Sequence, residues 1–213
     1  MAKRGICMKY RIVLASGSPR RKEILAQIGA AFEVIVSDCD EKTERREPEA
    51  LVKELSAQKA AAVAEKVSGA AVVIGADTIV AFRGEILGKP KDTEDARRML
   101  AMLAGNVHQV YTGVSLILKE ETGESRTITF AECSEVDVEA MTARQIAEYV
   151  ATGEPADKAG AYAIQGKFAP HIRGIRGDYY NIVGLPVAGI YRRLYEAGID
   201  LKTGEKIFAK GIA

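Results

Sequence analysis

"AVVIGADTIVAF", residues 71–82, is the run that decides the fold. Its β-branched residues make it the strongest strand signal in the chain. One residue breaks it. Asp77 is flanked on both sides by residues that favour burial, and a buried carboxylate needs a cation, a metal or several donors. Either Asp77 serves a site, or it caps a local turn at Gly75.

Upstream, residues 10–16 read as a short buried strand and "SGSP" as a turn. Ser18 stands where an N-cap belongs and Pro19 at the first helical position. Ile24, Leu25 and Ile28 form an apolar stripe that ends at Gly29. Residues 32–37 read as a second strand, "DCDEKTERREPEA" as a loop, and residues 48–67 as a long helix broken by Gly69. Downstream, "RGE" reads as a hairpin turn leading to "ILGKP". Asp92 or Thr93 caps a helix that stops at Gly105. "HQVYTGVSLILK" and "TITFAECSEVDV" are strands joined by "EETGES". Thr142 and Gln145 have capping-box spacing before a helix that ends near Gly153. The segment from Asp157 to Pro186 is rich in glycine and turns, and a last helix runs from Pro186 to near Gly198.

Interleaved strands and helices with central hairpins predict an α/β fold built on a mixed, twisted sheet with flanking helices. No repeat or linker divides the chain, so residues 1–213 are expected to form one domain, with residues 1–8 a disordered N-terminal extension. The hydrophobic share of 47% and charged share of 28% suit a globular chain with a sizeable core. The net charge of +1 argues against a nucleic-acid coat. The three cysteines, Cys7, Cys39 and Cys133, have no metal-site spacing and cannot all pair, which fits a reducing cytoplasm. No apolar run is long enough to span a bilayer, and no signal peptide is evident.

Other residues also conflict with their setting. Lys59 shares a helix face with Leu55 and Val63, the place of a snorkelling lysine or of a buried cation. Lys89 is held by Gly88 and Pro90. Asp40 and Glu41 form an acidic pair in the first long loop, either solvated or placed to hold Mg²⁺. Arg20, Arg21 and Lys22 crowd a helix start, where the dipole disfavours cations. Walker, GxGxxG, HExxH and GxSxG patterns are absent. Basic residues, carboxylates and glycine turns remain, an inventory suited to phosphoryl chemistry with a divalent metal.

The blocks "LASGSPRRKEIL", "GADTIV", "LGKP", "YTGVSL", "DKAGAYAIQG" and "GDYYNIVGLPV" together resemble the Maf family of nucleoside triphosphate pyrophosphatases. The resemblance implies two lobes around a cleft, related to the inosine triphosphatase fold, and a homodimer. It implies hydrolysis of a nucleoside triphosphate to monophosphate and pyrophosphate with Mg²⁺ or Mn²⁺. Asp77 matches the family's proton acceptor. Arg20, Thr78 and Gln165 match positions linked to substrate choice and resemble the branch acting on dTTP and UTP, with modified pyrimidine nucleotides as further candidates. Ser16, Lys59 and Lys89 match phosphate-contacting positions, and Glu41 an acidic position implicated in catalysis or metal binding.

On this basis Arg20, Lys59 and Lys89 converge on the phosphates, with Ser16 and the 16–18 backbone adding hydrogen bonds. Asp77 and Glu41 hold the metal or activate water that attacks the α-phosphorus. The Gln165 amide suits the O4/N3 edge of uracil or thymine. Helical spacing turns Arg21 and Lys22 away from Arg20, as surface charge. The alternative is a nucleotide-binding regulator of septum formation without turnover. Nucleic-acid binding through Arg20–Lys22 and Arg173–Arg176 is disfavoured by the neutral net charge and the lack of interleaved aromatics.

Overall fold

The computed structural model describes residues 9–207. The N-terminal extension, with Cys7, lies outside the described residues. The strands are β1 (Arg11–Leu14), β2 (Phe32–Val34), β3 (Ala71–Phe82), β4 (Glu85–Leu87), β5 (Val107–Lys119), β6 (Ser125–Val138) and β7 (Ile172–Arg176). The helices are α1 (Pro19–Gln27), α2 (Pro48–Ala64), α3 (Thr93–Leu103), α4 (Ala143–Val150), α5 (Tyr179–Val183) and α6 (Val187–Glu196).

All seven strands join one mixed sheet, in the order β2-β1-β3-β5-β6-β7, with β4 paired to β3. β1 runs parallel to both its neighbours, and the remaining pairs are antiparallel. The chain leaves β1 toward β2 on one side and returns through α2 to β3 on the other. The carboxyl end of β1 is thus a topological switch point, where open α/β sheets form a crevice.

β3 is buried along its length except at Thr78, which is half-buried. Alternation sends its residues to opposite faces. Val73 joins Ala60 and Val63 of α2 on one face. Val72, Ile74 and Ala76 join α1 and α6 on the other. Further along that second face, Val80 and Phe82 belong to a separate core with α3 and α4. These two cores are the two lobes, and they part near Thr78.

The edge of β3 opens at the same level. β1 pairs with it only as far as Ile74, and β4 pairs only with residues 80–82. No strand among the described residues covers that edge at 75–79.

α2 approaches the sheet unusually closely at two glycines. A Cβ on Gly75 would lie 2.3 Å from the Ser56 carbonyl oxygen, and one on Gly113 would lie 2.1 Å from that of Val52. Gly113 is the β5 partner of Asp77. Gly75 therefore lies inside the strand for packing reasons, and the local turn that Asp77 would cap does not exist.

Several boundaries differ from expectation. α2 stops at Ala64 rather than residue 67, and Lys119 of β5 donates to the carbonyls of Ala64 and Val67 at that end. β2 ends at Val34, as far as its pairing with β1 extends. The basic segment expected to be turns contains the edge strand β7. Arg173 there bonds Asp137 and Glu139, and Arg176 pairs with Glu135, so carboxylates on β6 and just past its end neutralise the strand. The hairpin at Arg83 and Gly84 is as expected, with positive φ at both residues.

Candidate active site

The crevice at the end of β1 encloses a cavity of about 480 Å³, within the range of small-molecule sites. Ser16, Arg20, Glu41, Lys59, Asp77, Thr78, Lys89 and Gln165 all line it. They come from the β1–α1 turn, the first turn of α1, the loop before α2, α2 itself, β3, the loop after β4 and the segment before β7.

Lys59 crosses from α2 to β3. Its Nζ donates to Asp77 Oδ1 at 2.6 Å and lies 3.0 Å from Glu41 Oε2. The side chains of Lys59 and Asp77 keep only 14% and 12% of their accessible surface, whereas Glu41 is about half exposed. A pair this desolvated is expensive to break by removing one partner. The close approach at Gly75 and Gly113 is what brings the ammonium within reach. Lys59 is therefore neither a snorkelling surface lysine nor pointed only at a ligand: it is shared by two carboxylates.

The expectation that Arg21 is surface charge is wrong. Its guanidinium lines the cleft beside Arg20. Nε donates to the Gly184 carbonyl at 2.8 Å, Nη1 to Ser16 Oγ at 3.0 Å and Nη2 to Thr78 Oγ1 at 3.0 Å. Burial pushes its pKa below the usual arginine value, against the opposing pull of Asp77 and Glu41. Helical spacing misplaces it because both arginines stand in the first turn, where side chains flank the open end of the helix. Its partner Gly184 is remote in sequence, so no local pattern announces the contact. Lys22 is not among the cleft-lining residues.

Ser18 occupies the N-cap of α1, but its side chain forms no capping bond, and the first turn holds no acidic residue. Its own N–H donates to Ser16 Oγ at 3.3 Å. The cleft wall carries five basic side chains (Arg20, Arg21, Lys59, Lys89 and Lys158) and three acidic ones (Glu41, Asp77 and Asp157), a surplus of two positive charges. Asp157 and Lys158 pair with each other. The arrangement suits a polyanion bound at the α1 start with carboxylates beside it.

Asp77 and Glu41 are hard oxygen donors of the kind Mg²⁺ or Mn²⁺ takes. No group of three or more His, Cys, Asp or Glu suited to a metal occurs among the described residues. A two-carboxylate set fits Mg²⁺ in this setting, because that ion is usually held by one or two carboxylates together with substrate phosphates. Cys39 and Cys133 are free thiols, and no helix among the described residues is long and apolar enough to cross a membrane.

A family model described as Maf-like protein matches residues 11–197. A curated dTTP/UTP pyrophosphatase of Lachnoclostridium phytofermentans is 52% identical, over 90% of this chain and 98% of its own length. The one of Agathobacter rectalis is 49% identical, over 90% and 99%. The one of Bacillus cereus strain B4264 is 47% identical, over 90% and 97%. Among solved structures, a dITP/XTP pyrophosphatase of Mycobacterium abscessus aligns over 88% of this chain and 97% of its own, at 11% identity and a TM-score of 0.38, too slight a likeness to bear on the reaction.

Proposed function

Because the chain belongs to the Maf-like protein family, we propose that it is a dTTP/UTP pyrophosphatase, as its curated relatives are named. It converts a nucleoside triphosphate and water to the monophosphate and pyrophosphate. The observation that carries this reading is the juxtaposition in one cleft of a cation-rich helix start and two carboxylates sharing one ammonium.

Arg20, Arg21 and Lys89 bind the triphosphate, and Ser16 donates to a phosphate oxygen. Asp77 accepts the proton of a water that attacks the α-phosphorus. The bond from that phosphorus to the bridging oxygen breaks, and pyrophosphate leaves with the electron pair. Lys59 holds Asp77 in place and offsets the charge that gathers between it and Glu41. Asp77 and Glu41 would hold a divalent cation, Mg²⁺ or Mn²⁺. Such an ion supplies charge neutralisation on the phosphate oxygens when bound. Gln165 reads the pyrimidine edge through an amide that both donates and accepts.

The test is product analysis with all canonical triphosphates and either cation. dTTP and UTP are expected to give monophosphate and pyrophosphate in equal amounts. Diphosphate with orthophosphate would overturn attack at the α-phosphorus.

A further inference from the structure

We propose that Thr112, which lies outside the cleft wall, is a positioning residue. It orients a one-way chain of hydrogen bonds that begins at Arg21, and it fixes the polarity that the Thr78 hydroxyl presents to the cleft.

Thr112, on β5, is fully buried and faces Thr78 across the strand pair. Its Oγ1 donates to the Asn181 carbonyl at 2.8 Å. A hydroxyl has one proton, so this bond spends it. Thr112 must then accept in its 2.9 Å contact with Thr78 Oγ1, and Thr78 must donate. Arg21 Nη2 donates to Thr78 Oγ1 in turn. The chain therefore runs in one direction, from Arg21 through Thr78 and Thr112 to the Asn181 carbonyl.

Its far end is anchored. The Asn181 carbonyl also accepts from Gly184 N–H at 3.0 Å. The Asn181 amide donates to the Val110 carbonyl at 3.0 Å and to Ser134 Oγ at 2.8 Å. Gly184 accepts from Arg21 Nε, so the same turn receives the arginine twice, directly and through the two threonines.

A consequence follows for the ligand. Thr78 keeps one lone pair for the cleft and no proton. Ser16 accepts from Arg21 Nη1 and from Ser18 N–H, which occupies both its lone pairs and leaves its proton free. The two hydroxyls flanking Arg21 thus have opposite polarity. Ser16 is a donor for an anionic oxygen, and Thr78 is an acceptor for a sugar hydroxyl or an imide N–H. Thr112 enforces the polarity of Thr78 from behind, while Arg21 and Ser18 set that of Ser16. The assignment of ligand groups rests on the pyrophosphatase reading, whereas the direction of the chain does not.

The experiment compares Thr112→Val, which has no proton to give and no lone pair to accept, with Thr112→Ser, which keeps the chain. Two measurements are made. One is exchange protection of the Arg21 Nη2 protons by NMR without ligand, the ones Thr78 accepts, and the other is calorimetric affinity for inorganic pyrophosphate with Mg²⁺. Thr112→Val should lose protection and weaken binding, each by about fivefold, the scale of a neutral hydrogen bond, because Thr78 is no longer held with its lone pair toward Arg21. Thr112→Ser should restore both. The Asn181 carbonyl keeps its Gly184 bond in either variant, which favours folding; should Thr112→Val not fold, Thr112→Ala is held to the same criterion. Unchanged Arg21 protection in a folded Val or Ala variant overturns the proposal, even with a lowered Tm. If the parent protein binds no pyrophosphate, the functional reading fails while the exchange measurement still decides the role of Thr112.

Discussion

Helices α1 and α2 start alike, with Ser18–Pro19 in one and Glu47–Pro48 in the other. Serine is a preferred N-cap residue and glutamate is not. The structure reverses that expectation. Glu47 accepts from the N–H groups of Glu49 and Ala50, at 3.2 and 2.7 Å, and Glu49 adds negative charge to the first turn. Ser18 caps nothing, and Arg20 and Arg21 follow it. α2 satisfies its end with its own residues and dipole-matching charge. α1 leaves its end open toward the cleft with cations beside it, an arrangement unfavourable for an isolated helix and favourable once an anion docks. A helix start that breaks the capping rules next to a cavity is thus a mark of function, and one that obeys them is a mark of stability.

The comparison breaks most visibly where α2 meets the cleft through Lys59. Asp77→Asn removes the proposed proton acceptor but not the shape. Turnover of dTTP should fall by about a thousandfold, the scale of a lost general base, with an unchanged circular dichroism spectrum. Near-normal turnover would exclude Asp77 from the role assigned to it. Next in size is Arg21→Lys at the α1 start. The charge stays, but a lysine cannot serve Gly184, Ser16 and Thr78 in one plane. We expect kcat/KM to drop by roughly tenfold to a hundredfold. A wild-type rate would exclude Arg21 from turnover and leave it a structural clamp on Gly184, Ser16 and Thr78.

pH limits where the two helices can be compared cleanly. His108 is buried with Nε2 2.7 Å from the Tyr162 hydroxyl, and burial pushes its pKa down to about 4. The unfolded chain protonates this histidine near pH 6.5 and the folded one only near pH 4, so the unfolded state binds more protons in between. Stability is therefore full above about pH 6.5 and declines as pH falls toward 4, by up to about 3 kcal/mol. Urea titrations across that window should show the slope, and His108→Gln should flatten it. An equal slope in the variant would place the proton uptake elsewhere. The smallest effects come from the caps themselves, measured above pH 6.5. Glu47→Ala should cost about 1 kcal/mol and leave turnover intact. Ser18→Ala should cost less than about 0.5 kcal/mol, since no capping bond is lost. Equal losses would erase the contrast between the two starts.

How much of this was legible in the chain varies residue by residue. Asp77 declares itself, because a carboxylate amid β-branched residues violates the local pattern. Lys59 is half-legible: spacing puts it on an apolar face but does not show what it meets. Arg21 is illegible, since its acceptors Gly184 and Thr78 come from distant segments. β7 hides because arginine and glycine imitate a turn, and only the carboxylates on β6 and just past its end make that edge strand tolerable. Gly75 and Gly113 look like strand weaknesses until α2 is seen resting on them.

The sequence by itself determined the mixed α/β architecture and the buried Asp77, because periodicity and residue–environment conflict are local properties; the set of residues that gather at the cleft came from the resemblance to the Maf family, since no local pattern singles out Ser16, Thr78 or Gln165. Only the tertiary structure decided that Lys59 is shared by two carboxylates, that Arg21 rather than Arg20 alone faces the cleft, and that Ser16 and Thr78 have opposite polarity. Those outcomes depend on how closely α2 approaches the sheet and on where single protons are spent. Both are set by contacts between segments far apart in the chain.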